Sequence, residues 1–173
     1  MKARRAASIV LAFSVLLGTA GCTLSAIQGT QVHYQPSDGT AANIGDVKLR
    51  NVIGLSDNGD DISLLMTIVN DGNSDVNVNF QYTDESGEKA PELTVGVEAN
   101  SSVHIGGGGG QVELVLRDAG ATVGGLFPVF VYFGNEVPGE QLEVPILDGS
   151  TAAYADLLPG PAPKPPATKT PAP

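Results

Sequence analysis

Few residues in this chain could act as a nucleophile or as a general base. The 173 residues include one cysteine, Cys22, and two histidines, His33 and His104. A hydroxyl or thiol nucleophile needs a positioned base beside it, and the chain has no Gly-x-Ser-x-Gly or His-Glu-x-x-His motif. The residue types therefore predict a protein that is not an enzyme, with no catalytic residue.

The run of five glycines from Gly106 to Gly110 is the one segment that suggests phosphate binding. A phosphate-binding loop would continue into Gly-Lys-Ser or Gly-Lys-Thr, and Gln111 and Val112 follow instead. A dinucleotide fingerprint would place a third glycine where Gln111 stands and would open a helix there. We therefore expect no cofactor at this run and interpret it as a flexible hairpin tip.

Two acidic clusters raise the question of a metal ion. The first contains Asp57, Asp60 and Asp61, and the second contains four residues within six positions, Asn70, Asp71, Asn73 and Asp75. Oxygen ligands at alternate positions suit calcium, but neither cluster has the glycine and the glutamate of an EF-hand loop. Asn and Asp are also the residues that strand-connecting turns favour. We predict structural turns and no metal site, with weak surface calcium binding as the alternative.

The N-terminus has the pattern of an export signal. Three basic residues precede an apolar run over 6–17, and Thr19-Ala20-Gly21-Cys22 follows. The run is shorter than the ~20 residues of a spanning helix. The tetrapeptide resembles a bacterial lipobox, in which cleavage between Gly21 and Cys22 exposes a cysteine that carries a diacylglycerol. The resemblance implies lipidation of Cys22 and attachment to the extracytoplasmic face of the cell membrane through that N-terminal lipid.

Composition limits the partners and favours strands. The 19 acidic and 9 basic residues give a net charge of −10, which argues against binding nucleic acid. Hydrophobic residues make up 42% and charged residues 16%, with 22 Gly and 12 Pro. Many Gly and Pro residues, together with many Val, are typical of short strands joined by turns.

Apolar residues alternate with polar ones from Asp46 onward. Val76, Val78 and Phe80 alternate with Asn77 and Asn79, and six further runs follow the same period of two. In one of these runs, Val47, Leu49, Ile53 and Leu55 are predicted to share a face. The segment from Phe127 to Phe133 is apolar on both faces, which predicts a central strand. The pattern predicts an all-β fold of seven or eight strands. We expect an antiparallel two-sheet sandwich, immunoglobulin-like or cupredoxin-like, with a small barrel as the alternative.

These signals divide the chain into four parts. We predict a signal peptide over 1–21, a lipidated flexible tether over 22–45 and a β-sandwich domain over 46–150. Residues 151–173 end in a proline-rich segment that cannot bury a core, which predicts a disordered tail. Short structures are also predicted at 31–34, as a strand, and around 151–157, as a helical turn.

The body of the chain resembles a family of small actinobacterial surface lipoproteins that includes mycobacterial lipoproteins of the Lpq series. The strings that carry the resemblance are His33–Gly39, Gly45–Asn51, Thr67–Asn70 and Val144–Gly149. Some relatives are grouped distantly with periplasmic copper chaperones of cupredoxin-like fold, which bind copper through His and Met residues. This chain lacks that set, and we expect Met66 to fill the core.

The resulting expectation is an extracytoplasmic, lipid-anchored lipoprotein whose β-domain is a binding or structural module of the cell envelope. An envelope protein is the expected partner, and nucleic acid is not. The alternative is a copper-chaperone-like or metal-buffering protein of the envelope.

Overall fold

The computed structural model describes residues 37–107, 111–134 and 138–160. These residues are 52% strand and include no α-helix, which confirms the all-β prediction. Among them, no helix is long and apolar enough to cross a membrane. The nine strands are β1 (Thr40–Ile44), β2 (Val47–Leu55), β3 (Ile62–Asn70), β4 (Val76–Gln81), β5 (Leu93–Val97), β6 (Ser101–Ile105), β7 (Leu114–Leu116), β8 (Leu126–Phe133) and β9 (Glu140–Leu147).

The strands form one mixed sheet in the order β5-β4-β8-β9-β2-β3-β6, with β1 added to β2 and β7 added to β3. Between these strands all pairings are antiparallel except β2 with β9, which is parallel over two residue pairs. A single parallel bridge also joins Ile105 at the end of β6 to Val112. The edge strands β5 and β6 follow each other in the chain, so the sheet nearly closes into a barrel. The predicted separation into two antiparallel sheets is not confirmed, because the short parallel pairing joins the two halves.

A β-bulge at Asn51 changes which residues of β2 face the core, so the inward face differs from the predicted one. Arg50 pairs with Thr67 but Ile53 pairs with Leu65, so β2 has one residue more than β3 across this interval. Asn51 takes a φ of +52° there. As a result Val52 joins the main core, whereas Ile53 and Leu55 are buried outside it. The prediction that Ile53 and Leu55 share a face with Val47 and Leu49 is therefore wrong.

The folded part begins earlier than the predicted boundary at residue 46. Strand β1 lies within the segment that we assigned to the tether, and its Ala42 and Ile44 are buried. It meets β2 through a two-residue turn in which Gly45 takes a φ of +54°. The small residues of β1 carry too little hydrophobic alternation to predict a strand. The strand predicted at 31–34 lies outside the described residues.

The first residues of the predicted tail are packed against the sheet. A 3-10 turn forms over Ala155–Leu157, as the sequence indicates. Leu157 and Leu158 line a small cleft together with Ser63 and Val115, which pair across β3 and β7. The Arg117 guanidinium donates to the Gly160 carbonyl at 3.1 Å. Described residues that contact the domain therefore extend to residue 160, ten residues beyond the predicted domain end.

Tyr82 links the end of β4 to the chain after β7 and gives the fold an alkaline pH dependence. Its hydroxyl donates to the Arg117 carbonyl and accepts from the Arg117 N–H, both at 2.8 Å. Burial is the main reason that the pKa of Tyr82 is raised. The unfolded tyrosine therefore loses its proton at a lower pH than the folded one, so this contribution to stability is present below pH ~10 and is lost as pH rises further.

We expect Tyr82→Phe to lower the free energy of unfolding by about 1–3 kcal/mol at neutral pH, because it leaves the half-buried N–H and C=O of Arg117 without their partner. The loss should shrink above pH ~10. Urea unfolding between pH 7 and 11 measures both effects. Tyr154→Phe is the control, since that hydroxyl has one contact, at 3.5 Å to exposed Asp38. A difference between wild type and Tyr82→Phe that stays constant to pH 11 would contradict the assignment.

Candidate functional site

Several residues singled out from the sequence lie outside the described part of the chain. These are the predicted cleavage and lipidation residues Gly21 and Cys22, together with His33 and Gly108–Gly110. The two glycines that begin the run, Gly106 and Gly107, have φ values of +71° and +107° and follow β6 directly.

The glycine run does not form a hairpin tip, so that prediction is wrong. Strands β6 and β7 both pair antiparallel with β3, β6 through Met66–Asn70 and β7 through Ile62–Leu64. They therefore run in the same direction along one edge of β3. The chain therefore leaves this edge after β6 and is back on it at β7, and Gly106 N–H donates to the Val112 carbonyl at 2.9 Å between the two strands.

The residues that could have bound copper point to opposite sides of the sheet. His104 pairs with Thr67, and its Nδ1 lies 2.9 Å from the Thr67 hydroxyl on the outer side. Met66 is the next residue on β3 and is buried in the main core, which agrees with the prediction of a core residue. Because adjacent residues of a strand face opposite sides, Met66 and His104 do not form one ligand set.

The first acidic cluster is held within its own turn and by the chain that follows β7. The Asp61 carboxylate pairs with the Arg117 guanidinium and accepts from the Asp118 N–H at 3.2 Å. Asp60 accepts from the Asn58 amide at 2.6 Å, and the Ser56 hydroxyl accepts from the Gly59 N–H at 2.9 Å. A cleft of about 330 Å³ opens beside these residues. Within the described ranges, no three His, Cys, Asp or Glu side chains are grouped to hold a metal.

The second acidic cluster is organised around the buried amide of Asn70. Its Nδ2 donates to the carbonyls of Ser74 at 2.8 Å and Glu98 at 3.0 Å, and its Oδ1 accepts from the Gly72 N–H at 2.9 Å. Asp75 accepts from the Ala99 N–H at 2.9 Å. These bonds join the turn after β3 to the corner between β5 and β6, so the cluster has the structural role that its turn residues indicate.

A serine and a lysine with catalytic Ser-x-x-Lys spacing, Ser86 and Lys89, occur in the connection between β4 and β5. The Ser86 hydroxyl donates to the Asp84 carboxylate at 2.6 Å within this turn. That hydrogen bond is the main reason that the pKa of Asp84 is lowered. Since its proton is directed at a carboxylate in the same turn, Ser86 serves the turn rather than a nucleophilic site.

The most unusual surface is the outward side of β8. Leu126, Pro128 and Phe130 are exposed along this strand, and Tyr132 is partly exposed beyond them. Leu126 has 64% of its surface accessible and Phe130 has 41%. The Phe130 and Tyr132 rings lie with centroids 5.8 Å apart at 34°. We call these four residues the outer β8 face.

Neighbouring strands extend this face with uncharged polar and carboxylate side chains. Pairing places Gln81 and Gln141 on either side of Phe130, Glu143 beside Pro128 and Pro145 beside Leu126. A Cβ at Gly139 would lie 2.5 Å from the edge of the Phe130 ring, so this glycine provides the space in which the ring lies. The apolar residues therefore form a stripe about four side chains long with polar borders.

Carboxylates outnumber basic side chains around the outer β8 face, where Lys89 pairs with Thr83 two residues beyond Gln81. Strands β4, β5, β8 and β9 contain no Lys or Arg. Glu143 accepts from the Gln141 amide at 3.0 Å on one side, and the Tyr132 hydroxyl donates to Glu92 on the other. This hydrogen bond is the main reason that the pKa of Tyr132 is raised.

The sequence identifies β8 as central, and the structure confirms this, since β8 lies between β4 and β9. The exposure of its outward side was not predicted. The available signal was the outward row of β4, where Asn77, Asn79 and Gln81 are all polar. Since paired strands share their faces, a polar row on β4 indicates that the neighbouring row of β8 also faces solvent.

A scan against protein-family models and a search of curated proteins found no match to this chain.

Proposed function

We propose that this protein is a lipid-anchored binding module on the extracytoplasmic face of the cell membrane, and that the outer β8 face is its binding surface. The observation that supports binding is the exposure of Leu126 and Phe130 on a central strand. Contiguous apolar surface is unfavourable in water, and a polar border around it is typical of interaction sites. The actinobacterial lipoprotein resemblance of the sequence is consistent with this location.

The anchor is proposed from the basic leader, the apolar run and Cys22. Two or more acyl chains hold a protein stably at a bilayer, since each buried methylene contributes ~0.8 kcal/mol. We expect Cys22→Ala to abolish metabolic labelling by an alkyne fatty acid and to move the protein out of the membrane fraction. Ser25→Ala, three residues further on, is the matched control and should keep both properties. Equal labelling of the two variants would contradict the proposed anchor.

The binding surface is tested by photocrosslinking in intact cells. We expect p-benzoylphenylalanine at position 130 to give a discrete crosslinked species, because the Phe130 ring lies in the middle of the outer β8 face. The same residue at position 112 is the control, since Val112 is a large apolar side chain of similar exposure, 48%, away from this face. No adduct at position 130, or the same adducts at both positions, would contradict the proposed function.

We also propose that the two halves of the sheet serve as the two layers of a sandwich of immunoglobulin-like or cupredoxin-like type. The support is that one core takes side chains from both halves, for example Leu49 and Ile68 from β2 and β3, and Phe80 and Val144 from β4 and β9. This packing would hold β8 through its core-facing side chains and leave its outward side free for a partner.

The copper-chaperone or metal-buffering alternative is not favoured by a specific observation in the described residues. Met66 and His104 lie on opposite sides of β3 and β6, and one carboxylate of each acidic turn accepts a backbone N–H from another part of the fold, Asp75 from Ala99 and Asp61 from Asp118. The binding module is therefore the better-supported function.

A further inference from the structure

Building on the proposed binding function, we infer that the partner at the outer β8 face is a cationic protein segment, one that presents apolar side chains flanked by Lys or Arg. The inference concerns the chemistry of the partner, which the binding proposal leaves open. It depends on the charges beside the face, on its exposed apolar side chains and on the exclusion of a second copy of this chain.

The charges beside the face select a basic partner. Glu143 and Glu92 lie on opposite sides of β8, and the four strands that build this half contain no Lys or Arg. Three of the four Lys and Arg residues in the described ranges are engaged on the other half: Lys48 pairs with Asp71, Arg117 pairs with Asp61 and Arg50 donates to Asn43. The fourth, Lys89, lies in the connection between β4 and β5 and is outnumbered by the two carboxylates. Complementary charge guides association and suppresses wrong partners, so an anionic polymer is disfavoured here.

The position of Phe130 suits an arginine in particular. Glu143 is two residues along β9 from Gln141, the direct partner of Phe130. Such diagonal neighbours lie within ~8 Å of each other. A guanidinium that stacks on the exposed part of the Phe130 ring can therefore also reach the Glu143 carboxylate. Arginine is suited to both contacts because it is planar and remains charged.

The aliphatic side chains of the face favour a protein over a glycan. Leu126 and Pro128 are exposed aliphatic groups that donate no hydrogen bond and offer no ring for stacking. An occupant that buries them must bring apolar side chains of its own, as a protein interface core does.

A second copy of this chain does not fit the same face. In a twofold dimer the same patch meets itself, so the Glu143 and Glu92 carboxylates of both copies would come together. Like charges in a desolvated contact are unfavourable. The partner is therefore a different molecule with the opposite charge.

The test uses the full-length protein in detergent micelles and four pools of synthetic 12-residue peptides: apolar and basic, apolar and acidic, polar and basic, and polar and acidic. We expect only the apolar, basic pool to bind, measured by fluorescence anisotropy. Glu143→Lys should weaken this binding by about tenfold or more, and added salt should weaken it further. Asp156→Lys makes the same charge change in the exposed 3-10 turn and should leave the affinity within about twofold.

The inference is overturned if the acidic pools or the neutral oligosaccharide cellohexaose bind equally well, if no pool binds, or if Glu143→Lys and Asp156→Lys have equal effects. Each of these results leaves the binding function standing as long as position 130 crosslinks in cells. Loss of that crosslink instead removes the binding function itself, so the two failures are distinguishable.

Discussion

Gly59→Ala is expected to lower the free energy of unfolding by about 3 kcal/mol or more. Gly59 takes a φ of +88°, and a Cβ built there would lie 1.9 Å from the Ala121 carbonyl oxygen. The backbone cannot easily move away, because Ala121 N–H donates to the Gly59 carbonyl at 2.8 Å and Ala119 N–H donates to the Asp60 carbonyl at 2.6 Å. The first acidic turn is therefore packed against the chain that follows β7.

The expected loss at Gly59 has two causes, the positive φ and the overlap of the added Cβ with Ala121. Gly87→Ala separates them. Gly87 has nearly the same φ, +84°, but no atom of the described residues lies within 4 Å of its added Cβ. We expect this control to cost about 1 kcal/mol, from the backbone conformation alone. Equilibrium urea unfolding of the wild type and both variants gives the comparison. Equal losses at the two positions would show that the contact between Gly59 and Ala121 does not exist in solution.

Asn70→Ala is expected to cost about 2–4 kcal/mol of unfolding free energy. The Asn70 side chain is 1% exposed, and its removal leaves the Ser74 and Glu98 carbonyls and the Gly72 N–H without their partner. These groups belong to the turn after β3 and to the corner between β5 and β6. That corner is where the two edge strands of the sheet follow each other, so the substitution should weaken the point at which the barrel nearly closes.

Asn73→Ala is the matched control for this prediction. Asn73 is an exposed asparagine in the same turn, and its one side-chain contact is a long 3.4 Å bond from the Asn100 amide. We expect a change within about 0.5 kcal/mol, measured by the same urea unfolding. If both variants lost equal stability, the turn would tolerate removal of the Asn70 amide, and its residues would need another explanation, such as calcium binding.

Local pattern predicted which segments form strands but not how the strands are arranged. The alternation in β4 and the other runs depends on neighbouring residues alone, so β2 to β9 were predictable. The parallel pairing of Gly54 with Ile146 joins residues that are far apart in the chain, and no local pattern indicates it. A single residue in a special conformation, Asn51, reverses the faces of everything after it in β2.

The candidate site was less predictable than the fold because it depends on which side of β8 no other element covers. The composition of β8 indicates only that both of its sides are apolar. Burial of one side and exposure of the other follow from the near-closed sheet, in which Phe127, Val129 and Val131 enter the core while Leu126 and Phe130 face outward. The polar rows on β4 and β9 would have suggested this only once the pairing of the strands was known.

The most direct test of the binding function is a comparison of surface labelling in intact cells with labelling of the purified full-length protein. Carbene footprinting with a photoactivated diazirine reports the solvent accessibility of individual side chains. We predict that labelling of Leu126 and Phe130 is strong in the purified protein and much weaker in cells, while labelling of Val112 is the same in both. Equal labelling of Leu126 and Phe130 in the two settings would mean that nothing covers the outer β8 face and would contradict the proposed function.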